Sequence, residues 1–151
     1  MSNSDAQKRH MRPLAVVLFV ICLIYTLGLF TFFHACGPKE DGTFMTCHWA
    51  QMALRGTALV MLVQSAFILS HEILSVSTCG HEALASRFPD LSAAGAVLIP
   101  PAVFSAVLPG NVIPLCMMES MRCRSIMRPY TLLSNLLIIL IAAAALKQKK
   151  H

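Results

Sequence analysis

The sequence predicts an all-α integral membrane protein whose chain crosses the bilayer four times. Of its 151 residues, 56% are hydrophobic and only 13% are charged, and the mean hydropathy is +0.67. Soluble domains carry about 25% charged residues, and a soluble fold of this size lacks the interior volume to bury so much apolar surface. The apolar residues also cluster into stretches of about 20, the length that a helix needs to cross the hydrocarbon core. We therefore expect a single domain whose solvent is the lipid bilayer.

The first span is predicted over residues 13–34, with no charged residue between Leu14 and Phe33. Lys8 and Arg9 precede it, as in the basic region of a signal peptide. A signal peptide, however, has an apolar region of only about 7–15 residues and a small-x-small cleavage site after it. Neither feature is present, so the segment is predicted to remain as a membrane-spanning helix.

Three further spans are predicted, over residues 52–74, 91–115 and 130–146. The third of these four spans is uncharged but contains Pro100, Pro101, Pro109 and Pro114. Proline removes a backbone donor and crowds the preceding turn. We therefore expect the third helix to be kinked or broken at its paired prolines, with neighbouring helices satisfying the freed carbonyl groups.

Lysine and arginine residues predict the orientation, because they are enriched in cytoplasmic loops. With four spans both termini lie on one side of the membrane. The opposite side carries Lys39, Arg55, Arg122, Arg124 and Arg128, and the other seven of the 12 basic residues lie on the side of the termini. We therefore expect cytoplasmic termini. Because the net charge of +5 comes from residues that flank apolar spans, nucleic acid is not an expected partner.

Four of the six cysteines, Cys36, Cys47, Cys116 and Cys123, lie in the two predicted outer loops. If the cell is bacterial, the outer side of its inner membrane is oxidising and permits disulfides. Cys36 and Cys47 flank a turn-forming region, so a bridge between them closes easily. On an unbroken helix Cys116 and Cys123 would be about 10 Å apart, beyond the limit of about 7 Å for a bridge. Either that segment bends or the cysteines pair across the loops.

A metal or haem site is a second interpretation of the same loops. Thiolate, thioether and imidazole groups suit Cu(I), and thiolate with imidazole also suits zinc or haem iron. Besides the cysteines, the candidate ligands are His34, His48, Met117, Met118 and Met121. For each methionine, ordinary packing in the bundle or against lipid is the alternative. The cofactors that this set of side chains suits are copper, iron and haem.

Three arginines close to the second outer loop, Arg122, Arg124 and Arg128, are candidates for binding an anionic ligand. If this segment is helical, Arg124 and Arg128 share a face with Met117 and Met121. Such a face suits a haem with its propionates or a lipid headgroup, and the arginines would repel a bare cation. Snorkelling of the arginines to phosphates at the membrane surface is the alternative.

Two other functions stay open. Small four-helix membrane proteins that pass electrons from thiols to quinone also carry two cysteine pairs on their outer side. This sequence has no Cys-x-x-Cys motif, the arrangement that tunes a reactive thiol. In the other alternative, the cysteines only staple the loops of a structural membrane subunit.

Three short motifs resemble those of a known family: residues 45–49 (Met-Thr-Cys-His-Trp), 116–118 (Cys-Met-Met) and 121–123 (Met-Arg-Cys). Over residues 14–146 the chain resembles the bacterial family of unknown function 4418. The resemblance implies a small protein of the bacterial inner membrane that is associated with ATP-binding-cassette permeases and with metal uptake, particularly of iron. It implies an accessory subunit of a transport complex rather than an enzyme, with a permease or further copies of the chain as its partners.

Overall fold

The protein is built from four long helices joined at their ends. The computed structural model describes residues 3–33, 42, 44–77, 91–115 and 123–148, without the side chains of residues 3–12, 74–77, 91–95 and 148. The helices are α1 (Asn3–Thr31), α2 (Thr46–Ser77), α3 (Leu91–Val107) and α4 (Arg128–Gln148). Two short π-helical turns lie between α3 and α4: the Pro109 turn (Leu108–Val112) and the Cys123 turn (Cys123–Met127).

Three helical segments are long and apolar enough to cross a membrane: Pro13–Thr31, Thr46–Ile73 and Cys123–Lys147. A shorter apolar helical segment covers Ala96–Val112. The described residues agree with the predicted all-α class, and three helices suited to crossing a membrane indicate a multi-pass membrane protein. Two helices, α2 and α4, extend beyond the predicted spans at both ends, with α2 beginning at Thr46 rather than at residue 52, whereas α3 ends at Val107, before the predicted end at residue 115. Hydropathy marks the lipid-embedded part of a helix, whereas polar end turns continue the helix outside the apolar stretch.

The third helix passes through its paired prolines and leaves the helical conformation later. Pro100 and Pro101 both lie inside α3. The backbone becomes non-helical at Pro109 (φ −78°, ψ 115°) and Gly110 (φ 94°, ψ −18°). Gly110 adopts the left-handed region, which a residue without Cβ enters at little cost. The amide of Ile113 donates to the carbonyl of Leu108 over 3.0 Å and closes the turn.

The helices pack in a ring, in which α1 contacts α2 and α4, while α3 contacts α2 and α4. Each helix buries one stripe of side chains at intervals of three or four residues, as expected for the inner face of a bundle. Along α4 this stripe contains Thr131, Asn135, Ile138 and Ala142. Large apolar residues such as Leu133 point outward, and that face is the one that meets lipid.

A close approach between α1 and α4 depends on Gly28. The Tyr130 hydroxyl donates to the carbonyls of Ile24 at 2.9 Å and Tyr25 at 3.3 Å. Its ring stacks on Phe33 with centroids 3.9 Å apart. A Cβ atom at position 28 would overlap the Tyr130 hydroxyl and lie 2.7 Å from Cζ. Glycine at position 28 is therefore what lets the two helices approach at this point.

Gly28→Ala should lower the free energy of unfolding by roughly 1–3 kcal/mol, the usual cost of overpacking, because the methyl group displaces the Tyr130 hydroxyl. The matched control is Gly56→Ala on α2, where an added Cβ meets no atom within 4 Å. This control should be neutral or stabilise the helix by up to about 1 kcal/mol. Thermal unfolding in detergent measures both, and equal shifts for the two variants would contradict the close packing.

Candidate functional site

The helix ends meet at what we call the cysteine end, where α1 and α3 finish and α2 and α4 begin. The Thr46 hydroxyl, at the start of α2, donates to the carbonyl of Pro114 beyond α3 over 3.1 Å. Arg128, at the start of α4, packs on the Pro109 turn, where a Cβ on Gly110 would lie 3.4 Å from its Cζ. The segments on either side of both predicted outer loops are thus joined at one end of the bundle.

Two polar side chains of α2 cap the carboxyl end of α1. Gln51 Nε2 donates to the carbonyls of Phe33 at 3.2 Å and Leu29 at 3.4 Å, and Arg55 Nε donates to Leu29 at 3.3 Å. The Arg55 guanidinium also lies 4.9 Å from the centroid of the Phe30 ring. A cation at a helix carboxyl end is stabilised by the helix dipole. Arg55 therefore has a structural reason to lie inside an apolar span.

Cys47 and Cys123 are both completely buried at the cysteine end. Cys47 is the second residue of α2, and Cys123 is the first residue of its π-helical turn. Both belong to the hydrophobic cluster that fills the bundle. The predicted partners Cys36 and Cys116 lie outside the described residues, so the disulfide pairing stays a prediction.

His48 lies in an aromatic cluster at the start of α2. Its ring stacks on Phe44 with centroids 4.2 Å apart and meets Trp49 edge-on at 6.0 Å. The His48 side chain is half-buried, whereas Trp49 is exposed. Exposed tryptophan close to the end of a membrane span is typical of the lipid–water interface. The imidazole is thus placed near the membrane surface.

Of the three predicted anion-binding arginines, the structure describes two. The Arg124 side chain is exposed, and the Arg128 side chain is half-buried against the Pro109 turn. The other predicted site residues lie outside the described residues: His34, Met117, Met118, Met121 and Arg122. Within the described ranges there is no group of three or more His, Cys, Asp or Glu residues that could hold a metal ion. A metal site at this end would therefore need side chains from the two loops.

A second polar cluster lies deeper in the bundle, and we call it the central polar cluster (Tyr25, Thr57, Ser105, Thr131 and Asn135). The Tyr25 hydroxyl and Ser105 Oγ are hydrogen-bonded at 2.8 Å. Asn135 Nδ2 lies 3.3 Å from each of these two oxygens. Thr57 Oγ1 donates to Ser105 over 3.5 Å. Each of the four helices contributes at least one residue to this cluster, and Ser105 is the hydrogen-bond partner that Tyr25, Thr57 and Asn135 share.

The orientation of the Asn135 amide is fixed by its own helix. Asn135 Nδ2 donates to the carbonyl of Thr131 over 2.8 Å, a position where the amide oxygen would be repelled. Asn135 Oδ1 is buried and forms no hydrogen bond with any described residue. In the sequence, Asn135 is a polar residue inside an apolar span, where such residues generally bridge helices. The sequence gives no such signal for Tyr25 or Ser105, because serine and tyrosine also occur on helix faces without partners.

Comparison with known protein families identifies the family of this chain. The sequence model of the family "Domain of unknown function (DUF4418)" matches residues 18–148. The chain belongs to the DUF4418 family. The match covers all four helices from the middle of α1 to the end of α4, so both the cysteine end and the central polar cluster lie within the DUF4418 domain. Neither the curated proteins nor the solved structures contain a significant match to this chain.

Ser105→Ala should destabilise the DUF4418 bundle, because it removes the shared partner of Tyr25 and Asn135. Hydrogen bonds between membrane helices contribute about 0.6 kcal/mol on average and up to about 1.7, so we expect a loss within that range. The matched control is Ser70→Ala, since Ser70 is exposed and bonds only within its own helix, to Phe67. Thermal unfolding in detergent measures both variants. A loss for Ser70→Ala as large as that for Ser105→Ala would show that the cluster contributes no stability.

Proposed function

We propose that this chain is a four-pass protein of the bacterial cytoplasmic membrane with both termini in the cytoplasm. The segment Ala96–Val112 is then the third span, although its length of about 25 Å is slightly less than the hydrocarbon thickness of about 30 Å. Its packing between α2 and α4 supports this assignment, because a helix between two membrane-spanning helices shares their surroundings. The cysteine end then faces the extracytoplasmic side.

The proposed function is that of an accessory subunit of a membrane transport complex, with a ligand site at the cysteine end. The observation that carries the site is the hydrogen bond from Thr46 to Pro114. It joins the residue before Cys47 and His48 to a residue two positions before Cys116. The Cys-His motif therefore begins beside the point where the chain enters the second predicted outer loop, and this proximity supports a site shared by the two loops. The transport role itself rests on the family resemblance.

The charge at this end favours one class of ligand. Imidazole and thioether groups suit soft or borderline metals, and His48 is half-buried at the rim of the site. Arg124 is exposed at the same end, and its positive charge favours an anionic ligand over a bare cation. The ligand that fits both features is haem or another chelated, anionic metal complex of iron or copper. A transport subunit would present such a ligand to a permease.

Burial weighs against the thiol–quinone oxidoreductase alternative. A catalytic thiol must be reachable by its substrate, and reactive cysteines are partly exposed. Cys47 and Cys123 are completely buried, as structural cysteines generally are. Disulfides that only staple the loops are the remaining alternative, and the experiment below distinguishes it.

His48→Ala and Met121→Ala should each lower the amount of bound ligand by about tenfold or more, the usual effect of disturbing a metal site. Protein is purified from its own host membrane, and elemental analysis and absorption spectroscopy measure copper, iron and haem. The control variant is Met52→Ala, because Met52 is 46% exposed on the lipid face of α2.

Equal ligand content in all three variants, with unchanged thermal unfolding, would mean that the loops form no ligand site. The cysteines would then only staple the loops. Co-purification of a permease with the wild-type chain tests the accessory role separately, since it does not depend on the ligand being retained.

A further inference from the structure

A groove runs along the outer surface between α3 and α4. It has a volume of about 230 Å³ and is lined by Ala106 on α3 and by Leu132, Leu133, Leu136 and Ile139 on α4. The three leucines are exposed to between 42% and 63%, so the groove opens to the lipid. Ala106 supplies the space, because its methyl group leaves room opposite the longer side chains of α4.

Arg128 lies at the head of this groove. It precedes Leu132 and Leu136 at intervals of four residues, so all three lie on one stripe of α4. Its guanidinium crosses to the end of α3, where a Cβ on Gly110 would be 3.4 Å from Cζ and 3.5 Å from Nε. Ala106 lies in the last turn of α3, four residues before Gly110. The cation and the apolar groove therefore share the seam between α3 and α4.

The Arg128 guanidinium is half-buried, yet it forms no hydrogen bond or ion pair with any residue in the part of the chain that the structure describes. A partly buried cation is costly without an anion or hydrogen-bond acceptors. Guanidinium groups bind phosphate strongly, often through two parallel hydrogen bonds. A phosphate is thus the group that Arg128 is best suited to bind.

The length of the stripe matches one leaflet of a bilayer. From Arg128 to Ile139 an α-helix rises about 17 Å, and one leaflet contributes about 15 Å of hydrocarbon. From Arg128 to Lys147 the rise is about 29 Å, close to the full hydrocarbon thickness of about 30 Å. With these two cations at opposite membrane surfaces, the groove reaches from the headgroup level to the middle of the bilayer.

We propose that the seam between α3 and α4 is a binding site for one anionic phospholipid of the leaflet at the cysteine end. Arg128 binds the headgroup phosphate, and an acyl chain lies in the groove formed by Ala106, Leu132, Leu133, Leu136 and Ile139. The site rests on the proposed membrane placement, but it depends on neither the accessory role nor the ligand of the loops.

The site is tested by native mass spectrometry of the full chain after its release from detergent. The experiment measures binding of phosphatidylglycerol and of phosphatidylcholine with identical acyl chains. The wild type should bind phosphatidylglycerol about fivefold more tightly, since one basic residue near an anionic surface contributes about 1 kcal/mol. Arg128→Gln should abolish this preference, and Arg128→Lys should keep most of it. Lys147→Gln removes the same charge from the other end of α4 and should leave the preference unchanged.

The groove is tested by Ala106→Leu, which fills it, against Ala144→Leu, which adds the same volume at an exposed position on α4. Ala106→Leu should weaken binding of both lipids, and Ala144→Leu should weaken neither. Equal effects of Arg128→Gln and Lys147→Gln would overturn the proposal. Displacement of phosphatidylglycerol by millimolar inorganic phosphate would also overturn it. A third contrary result is a dimer that is lost in Ala106→Leu while lipid binding is unchanged, because the groove would then bind a second copy of the chain. Because the lipids are added to purified protein, failure here leaves the measured ligand content of the loop variants unaffected.

Discussion

Hydrocarbon offers no hydrogen-bond partners, so polar side chains inside this bundle are stabilised where they meet one another or a backbone carbonyl. The hydrogen bonds among Tyr25, Ser105 and Asn135 meet that constraint across three helices. Apolar side chains alone leave helices in lipid free to rotate and slide, because lipid tails are as apolar as the side chains. The cluster removes that freedom, since its partners meet only at one rotation and one register of α1, α3 and α4.

That rotation also determines what the cysteine end can do. Along the Cys123 turn and the start of α4, four residues at intervals of four are completely or almost completely buried: Cys123, Met127, Thr131 and Asn135. The orientation that brings Asn135 to Ser105 therefore also turns Cys123 inward and Arg128 sideways onto the Pro109 turn. The same helix presents Leu133 and Leu136 to lipid. The interior hydrogen bonds, the buried thiol and the outer groove are thus consequences of one helix orientation.

The sequence predicted what depends on composition and length, and missed what depends on three-dimensional contacts. Long apolar stretches identified the membrane helices, because the cost of exposing polar backbone to lipid leaves few other structures. The paired prolines did not locate the break, since Pro100 and Pro101 are accommodated within α3 and Gly110 provides the left-handed residue. The contact of Gly28 with Tyr130 joins residues about a hundred positions apart, which no local pattern encodes. The sequence identified Cys47 and His48 as candidate site residues from their side-chain chemistry, but it did not predict how deeply each side chain is buried.

Membrane orientation is the premise on which the extracytoplasmic site rests, and side-specific labelling of introduced cysteines measures it most directly. Asn111 is exposed in the Pro109 turn at the cysteine end, and Lys147 is exposed at the opposite end of α4. In intact host cells a membrane-impermeant maleimide, with peptide-resolved mass spectrometry, should label Asn111→Cys. Lys147→Cys should be labelled only after the cells are permeabilised. Labelling of Lys147→Cys but not Asn111→Cys in intact cells would place the cysteine end in the cytoplasm and contradict the account.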